Sequence, residues 1–127
     1  MAGKNPEHLR DAVALLEQVA ADWRVLDLLP EDGFLAACAT WGSVIRISGR
    51  ARCPVETYSV ERPADWEARG ISLGADGARL RLHRGGRDLG PVRLTVGGAH
   101  NVENALGVAA AATRLGLSFA EIAAGLE

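Results

Sequence analysis

Apolar positions along the chain change their period several times, and each change marks a different kind of element. From His8 to Leu29 they fall at Leu9, Val13, Leu16, Val19, Ala20, Trp23, Leu26 and Leu29, close to helical spacing, which predicts a long amphipathic helix. Pro30-Glu31-Asp32-Gly33 stops it with a turn. Phe34 to Cys38 is a short continuous apolar run, the pattern of a strand buried on both faces. Trp41 to Arg50 predicts a short helix ahead of another strand at Val55 to Val60.

Beyond Pro63 the run lengths shorten. Trp66 to Leu73, Arg79 to His83 and Val92 to Val96 alternate apolar and polar residues, and glycine-rich turns at Gly74 to Gly77 and Gly85 to Gly90 separate them. This predicts an antiparallel meander. Arg79, Arg81, His83, Arg84, Arg87 and Arg93 put positive charge on one side of it, and a solvated outer face is favoured over a dedicated anion site as their explanation.

The last alternating run leads into Gly97-Gly98, a bend that tolerates positive φ, and then into a helix over His100 to Leu115. Asn101 and Asn104 are three apart, so both amides project from one face of its first turn, near unpaired backbone donors and the positive end of the helix dipole. With His100 they make a site suited to a polar planar ring or a phosphate. Read locally, a helix cap is favoured over a ligand site for an Asn there, and a His is an ordinary surface residue. Gly116 ends the helix, Ser118 and Glu121 form the capping-box pattern of a last helix, and Ala109 to Ala112 are suited to close packing on a sheet.

Composition narrows the class. The chain has 127 residues, 48% hydrophobic and 24% charged, enough for one domain with a core. A net charge of -2 without a polybasic block points to neither nucleic acid nor an anionic membrane as partner. The polar stretch Met1 to Arg10 has no signal-like apolar core, so a cytoplasmic location is expected. Cys38 and Cys53 have neither CxxC spacing nor a nearby His, and both are expected to be packing residues.

The stretch Gly98-Ala99-His100-Asn101-Val102-Glu103-Asn104-Ala105, followed by a small-residue helix, Leu115-Gly116-Leu117 and a second short helix, resembles the end of the central ATP-binding domain of the Mur ligases. The resemblance covers nearly the whole chain. Val55-Glu56-Thr57-Tyr58 with Ala64-Asp65-Trp66-Glu67-Ala68 places it nearest the murein-peptide ligases and the UDP-N-acetylmuramate:L-alanine ligases. It implies an α/β fold: a partial Mur-ligase central domain with a partly parallel sheet, flanking helices and a small three-stranded antiparallel sheet.

The same resemblance implies an ATP-dependent acid-amino-acid ligase. It would act on a UDP-N-acetylmuramate-type substrate in peptidoglycan biosynthesis or recycling and form an amide bond through an acyl phosphate, with ATP and Mg2+ as cofactors. Asn101 and Asn104 would lie against adenine with His100 beside the nucleotide; none of the three is expected to be catalytic. His8 matches by position a His near the family's metal ions, but its neighbours read Glu7-His8-Leu9-Arg10 instead of Asp-His, and a surface His is the competing reading. Gly97 stands where a Pro is common, and Ala99 where a larger or basic residue is.

No G-x-x-G-K-[ST] loop occurs in the chain. Residues 1–127 are therefore expected to be a single incomplete central domain, without its phosphate-binding half and C-terminal ligase domain, inactive alone and a natural partner for the remainder of the ligase. The competing expectations are a non-catalytic binding module that keeps the fold, or a piece of a folylpolyglutamate- or cyanophycin-type synthetase.

Overall fold

Six strands lie side by side in the order in which the chain makes them. The computed structural model describes residues 13–16 and 23–127. Strands β1 (Val13–Leu16), β2 (Phe34–Cys38) and β3 (Val55–Tyr58) run parallel, and β4 (Trp66–Gly74) joins them in parallel through the single pair Tyr58↔Trp66. β5 (Gly77–Arg84) and β6 (Arg87–Leu94) then turn back and forth as an antiparallel meander. A 3-10 segment covers Trp23–Leu28, and three α-helices follow: α1 (Gly42–Ser48), α2 (Ala99–Arg114) and α3 (Phe119–Leu126). The expected parallel and antiparallel parts are thus one continuous sheet.

The long helix expected over residues 8–29 does not form where that stretch is described. Val13–Leu16 is a strand paired with β2 from Val13↔Phe34 to Leu16↔Ala37, and Trp23–Leu28 is a 3-10 segment; the other residues of the stretch lie outside the described ones. Val-Ala-Leu-Leu is a continuous apolar run, which a short buried strand uses as readily as one face of a helix, so spacing alone cannot separate them. The last meander strand also begins earlier than expected, at Arg87 rather than Val92. Gly85 and Gly86 both have positive φ (57° and 81°), so two residues close the hairpin and leave Arg87 paired with Arg84.

Alternation along β2 divides the core. Phe34, Ala36 and Cys38 face a cluster with Tyr58, Trp66, Leu80, Leu82, Val92, Val102, Leu106 and Ile122, while Leu35 faces a smaller one with Leu26, Leu29 and Cys53. The parallel half is therefore covered on both faces. In the meander, α2 and α3 cover the face of Leu80, Leu82, Val92 and Leu94, and the face carrying Arg79, Arg81 and Arg93 is exposed. Both cysteines are buried and free, and burial pushes each thiol above its ordinary range.

The alanine-rich stretch lets α2 approach the sheet closely, and Gly107 sets the limit. A Cβ there would stand 2.8 Å from Tyr58 Cζ and 3.1 Å from Leu15 Cδ2. Tyr58 is fully buried and cannot yield easily, so Gly107→Ala should destabilise the fold by about 1–3 kcal/mol despite its better helix propensity. A denaturant midpoint at or above wild type would contradict this.

At the start of α3 the expected capping box forms: Glu121 N–H donates to Ser118 Oγ (3.2 Å), and Ser118 N–H donates to Glu121 Oε1 (3.0 Å). The Ser118 backbone N–H, then its hydroxyl, hold the Glu121 carboxyl below the ordinary carboxylate range. A depressed folded value means that the contribution is complete above the unfolded value and is lost as pH falls through the folded one. Corrected for the intrinsic pH dependence of exchange, amide protection over Phe119–Ile122 should therefore fall as pH drops through and below the ordinary carboxylate range, and Glu121→Gln should flatten that dependence.

Candidate functional site

Two glycines shape the approach to α2. A Cβ on Gly97 would lie 2.6 Å from the Gly74 carbonyl oxygen, so the backbone of the β4–β5 turn itself excludes a side chain there. Gly98 occupies the N-cap position with φ 100°, a conformation that other residues rarely adopt. No side chain caps the helix. Instead the Asn101 and Val102 N–H groups donate to the Gly98 carbonyl at 3.1 and 3.3 Å.

The cap reading of the two asparagines is therefore not what the structure forms. Asn101 Nδ2 donates backwards to the Gly97 carbonyl at 2.7 Å, which fixes the amide and leaves Oδ1 and one N–H without a bond among the described residues. Asn104 is half-buried and makes no hydrogen bond among the described residues, and His100 is exposed on the same turn. These are unspent donors and acceptors on a fixed turn, the condition for reading the edge of a polar ring. Neither amide carries a charge, so pairing there rests on hydrogen bonds.

Glu103, which sequence reasoning passed over, places that turn. Its Oε2 accepts from the Thr40 hydroxyl at 2.6 Å and from the Val60 N–H at 3.1 Å, and its Oε1 accepts from the Cys38 thiol at 3.3 Å. Because Thr40 donates to Glu103, the 2.7 Å contact between Thr40 and Ser59 runs from the Ser59 hydroxyl to the Thr40 oxygen. Ser59 Oγ in turn accepts from the N–H groups of Glu61 and Arg62, both at 3.0 Å. One carboxylate thus ties the N-terminal part of α2 to the chain leaving β2 and the chain leaving β3. The available signal was a polar hydroxyl residue within two positions of the end of each of two strands, Thr40 after β2 and Ser59 after β3.

The turn consequently sits beyond the carboxyl ends of parallel strands, where ligands of open α/β sheets bind. The free amide of Asn104 and the free Oδ1 of Asn101 fit a purine edge. For magnesium the result is different: no group of three or more His, Cys, Asp or Glu side chains among the described residues could hold a metal ion. His8 lies outside the described residues. No metal-dependent step is therefore assigned to these residues. No helix of the described residues is long and apolar enough to cross a membrane.

No family model matches the chain. It is 31% identical over 126 residues to the UDP-N-acetylmuramate–L-alanine ligase of Acetivibrio thermocellus, covering 98% of this chain and 25% of that ligase. It is 33% identical over 123 residues to the corresponding ligase of Acidothermus cellulolyticus, covering 94% and 26%. Among solved structures it is similar to the UDP-N-acetylmuramoylalanyl-D-glutamyl-2,6-diaminopimelate–D-alanyl-D-alanyl ligase of Acinetobacter baumannii, with a TM-score of 0.76 and 26% identity over 91% of this chain and 28% of that one. It is also similar to the UDP-N-acetylmuramate:L-alanyl-gamma-D-glutamyl-meso-diaminopimelate ligase of Neisseria meningitides, with a TM-score of 0.69 and 25% identity over 82% and 31%. The chain spans about a quarter of the length of the curated relatives it matches. Sequence and fold agree across nearly all of it: this chain belongs to the Mur ligase family.

Proposed function

We propose that this chain is the purine-binding part of a central domain from an ATP-dependent ligase that extends UDP-N-acetylmuramate-type precursors of peptidoglycan. Asn101 and Asn104 read the adenine edge, and His100 stands beside the nucleotide. The observation that supports this best is the Glu103 clasp, which fixes the first turn of α2 over the ends of β2 and β3 with both amides still holding unspent hydrogen-bonding capacity. In the intact ligase ATP would supply the phosphoryl group that activates the acyl carboxylate. The residues of this chain bind and orient the purine and form no bond themselves.

With no glycine-rich phosphate cradle in the sequence, the Asn101 and Asn104 turn has only its purine contacts to offer, and affinity there should be weak. At that turn adenosine should therefore bind nearly as well as ATP. Saturation-transfer NMR with adenosine and ATP checks this: Asn101→Ala and Asn104→Ala should each weaken binding by roughly tenfold, the loss of about 1.4 kcal/mol. Binding that both substitutions leave unchanged would refute the purine assignment. A cooperatively folded chain that binds neither ligand would favour a non-catalytic module that keeps the fold.

A further inference from the structure

The exposed face of the meander carries its side chains in three rows across β4, β5 and β6, and charge is balanced in only two of them. Glu67, His83 and Asp88 form the first row. Arg69 lies opposite Arg81 in the second, but Arg69 pairs with Glu67 at 2.8 Å and Arg81 with Asp88 at 2.7 Å, and these arginines hold both carboxyls below their ordinary range. The third row is Ser72, Arg79 and Arg93. Arg79 lies directly opposite Arg93, and neither makes an ion pair or a hydrogen bond among the described residues.

Two like charges directly opposite on neighbouring strands repel, with side chains rooted only about 5 Å apart. Nothing in the fold requires them, because both residues are exposed. Both line a recess of about 200 Å³ with Ser72 and Asp76. Asp76 forms no ion pair with either guanidinium among the described residues.

We propose that Arg79 and Arg93, with the Ser72 hydroxyl, form an anion site for a phosphate-bearing small molecule on the face of the meander away from α2. A phosphate dianion neutralises both guanidinium groups and accepts from each, and the hydroxyl supplies a third donor from the adjoining strand. A carboxylate would neutralise one. Neither Asn101, Asn104 nor His100 lines this recess, so the proposal does not rest on the purine assignment.

Thermal melting of the whole chain at low ionic strength tests it, with pyrophosphate titrated against potassium chloride and potassium acetate at matched ionic strength. Pyrophosphate should raise the melting temperature saturably, beyond the effect of either control. Arg79→Gln and Arg93→Gln should each weaken the apparent affinity by roughly tenfold or more, and Arg69→Gln should leave it within about twofold. Without anion, the two variants should melt at or above wild type, since repulsion is relieved. Pyrophosphate acting no more strongly than chloride, acetate matching pyrophosphate, an undiminished response in both variants, or a lower melting temperature for them without anion would each overturn the proposal. Independently of melting, wild type should broaden the pyrophosphate phosphorus resonance and Arg79→Gln should not; equal broadening by the two would also overturn it.

Discussion

Trp66→Ala should cost about 3–5 kcal/mol, a large share of the roughly 5–15 kcal/mol that holds a domain of this size together. Trp66 is fully buried and belongs to the one pair that joins β3 to β4. Its indole N–H donates to Glu56 Oε1 at 2.5 Å, the guanidinium of Arg84 lies 5.2 Å from the ring centroid, and Arg84 closes the triangle with a 2.6 Å ion pair to Glu56 Oε2. Glu56 belongs to the parallel strands and Arg84 to the meander, so the indole is where the two halves of the sheet are fastened. Trp66→Phe keeps most of the packing and loses the N–H, and should cost roughly 1–2 kcal/mol. Urea unfolding followed by circular dichroism separates the two variants. Equal midpoints would show that packing at the junction matters little.

Glu103→Leu should cost on the order of 3 kcal/mol. The substitution removes the acceptor of the Thr40 hydroxyl, the Val60 N–H and the Cys38 thiol together, and each buried donor left unpaired costs about 1–3 kcal/mol. Partial exposure of the cluster lets water offset part of that sum. Glu103→Gln should be far milder, below about 1 kcal/mol: its amide oxygen can still accept from Thr40 and Val60, and its NH2 faces a sulfur that accepts weakly. A charge effect would make Gln and Leu alike, whereas an acceptor effect separates them. Because the same carboxylate anchors the turn that holds Asn101 and Asn104, purine binding should fall with Leu and survive with Gln.

How much the sequence revealed depended on whether a pattern had one structural meaning. Alternation in residues 66–94 with glycines between the runs reads as hairpins, and the meander forms, its first turn in place and its second shortened to Gly85-Gly86. Ser118 with Glu121 likewise has a single reading, and the capping box is there. Val13–Leu16 failed because four consecutive apolar residues suit a helix face or a buried strand equally, and only the partner strand β2, far along the chain, decides between them. At the site, the Gly97-Gly98 bend and the two amides were legible because the motif is local. Glu103 was not, since a glutamate near the start of a helix ordinarily faces water. Its role exists only once Thr40 and Ser59, more than 40 residues earlier, are folded against it.

Among the described residues, strand order in this sheet is the order of synthesis, with no strand inserted between two earlier ones. Every pairing can therefore form between neighbours in the chain, and the sheet can grow by adding strands at one margin without reopening a hydrogen-bonded ladder. The hairpins of residues 66–94 close over two-residue turns, the least costly closures available. Assembly can begin there and spread towards β1, the strand that lies furthest from this nucleus.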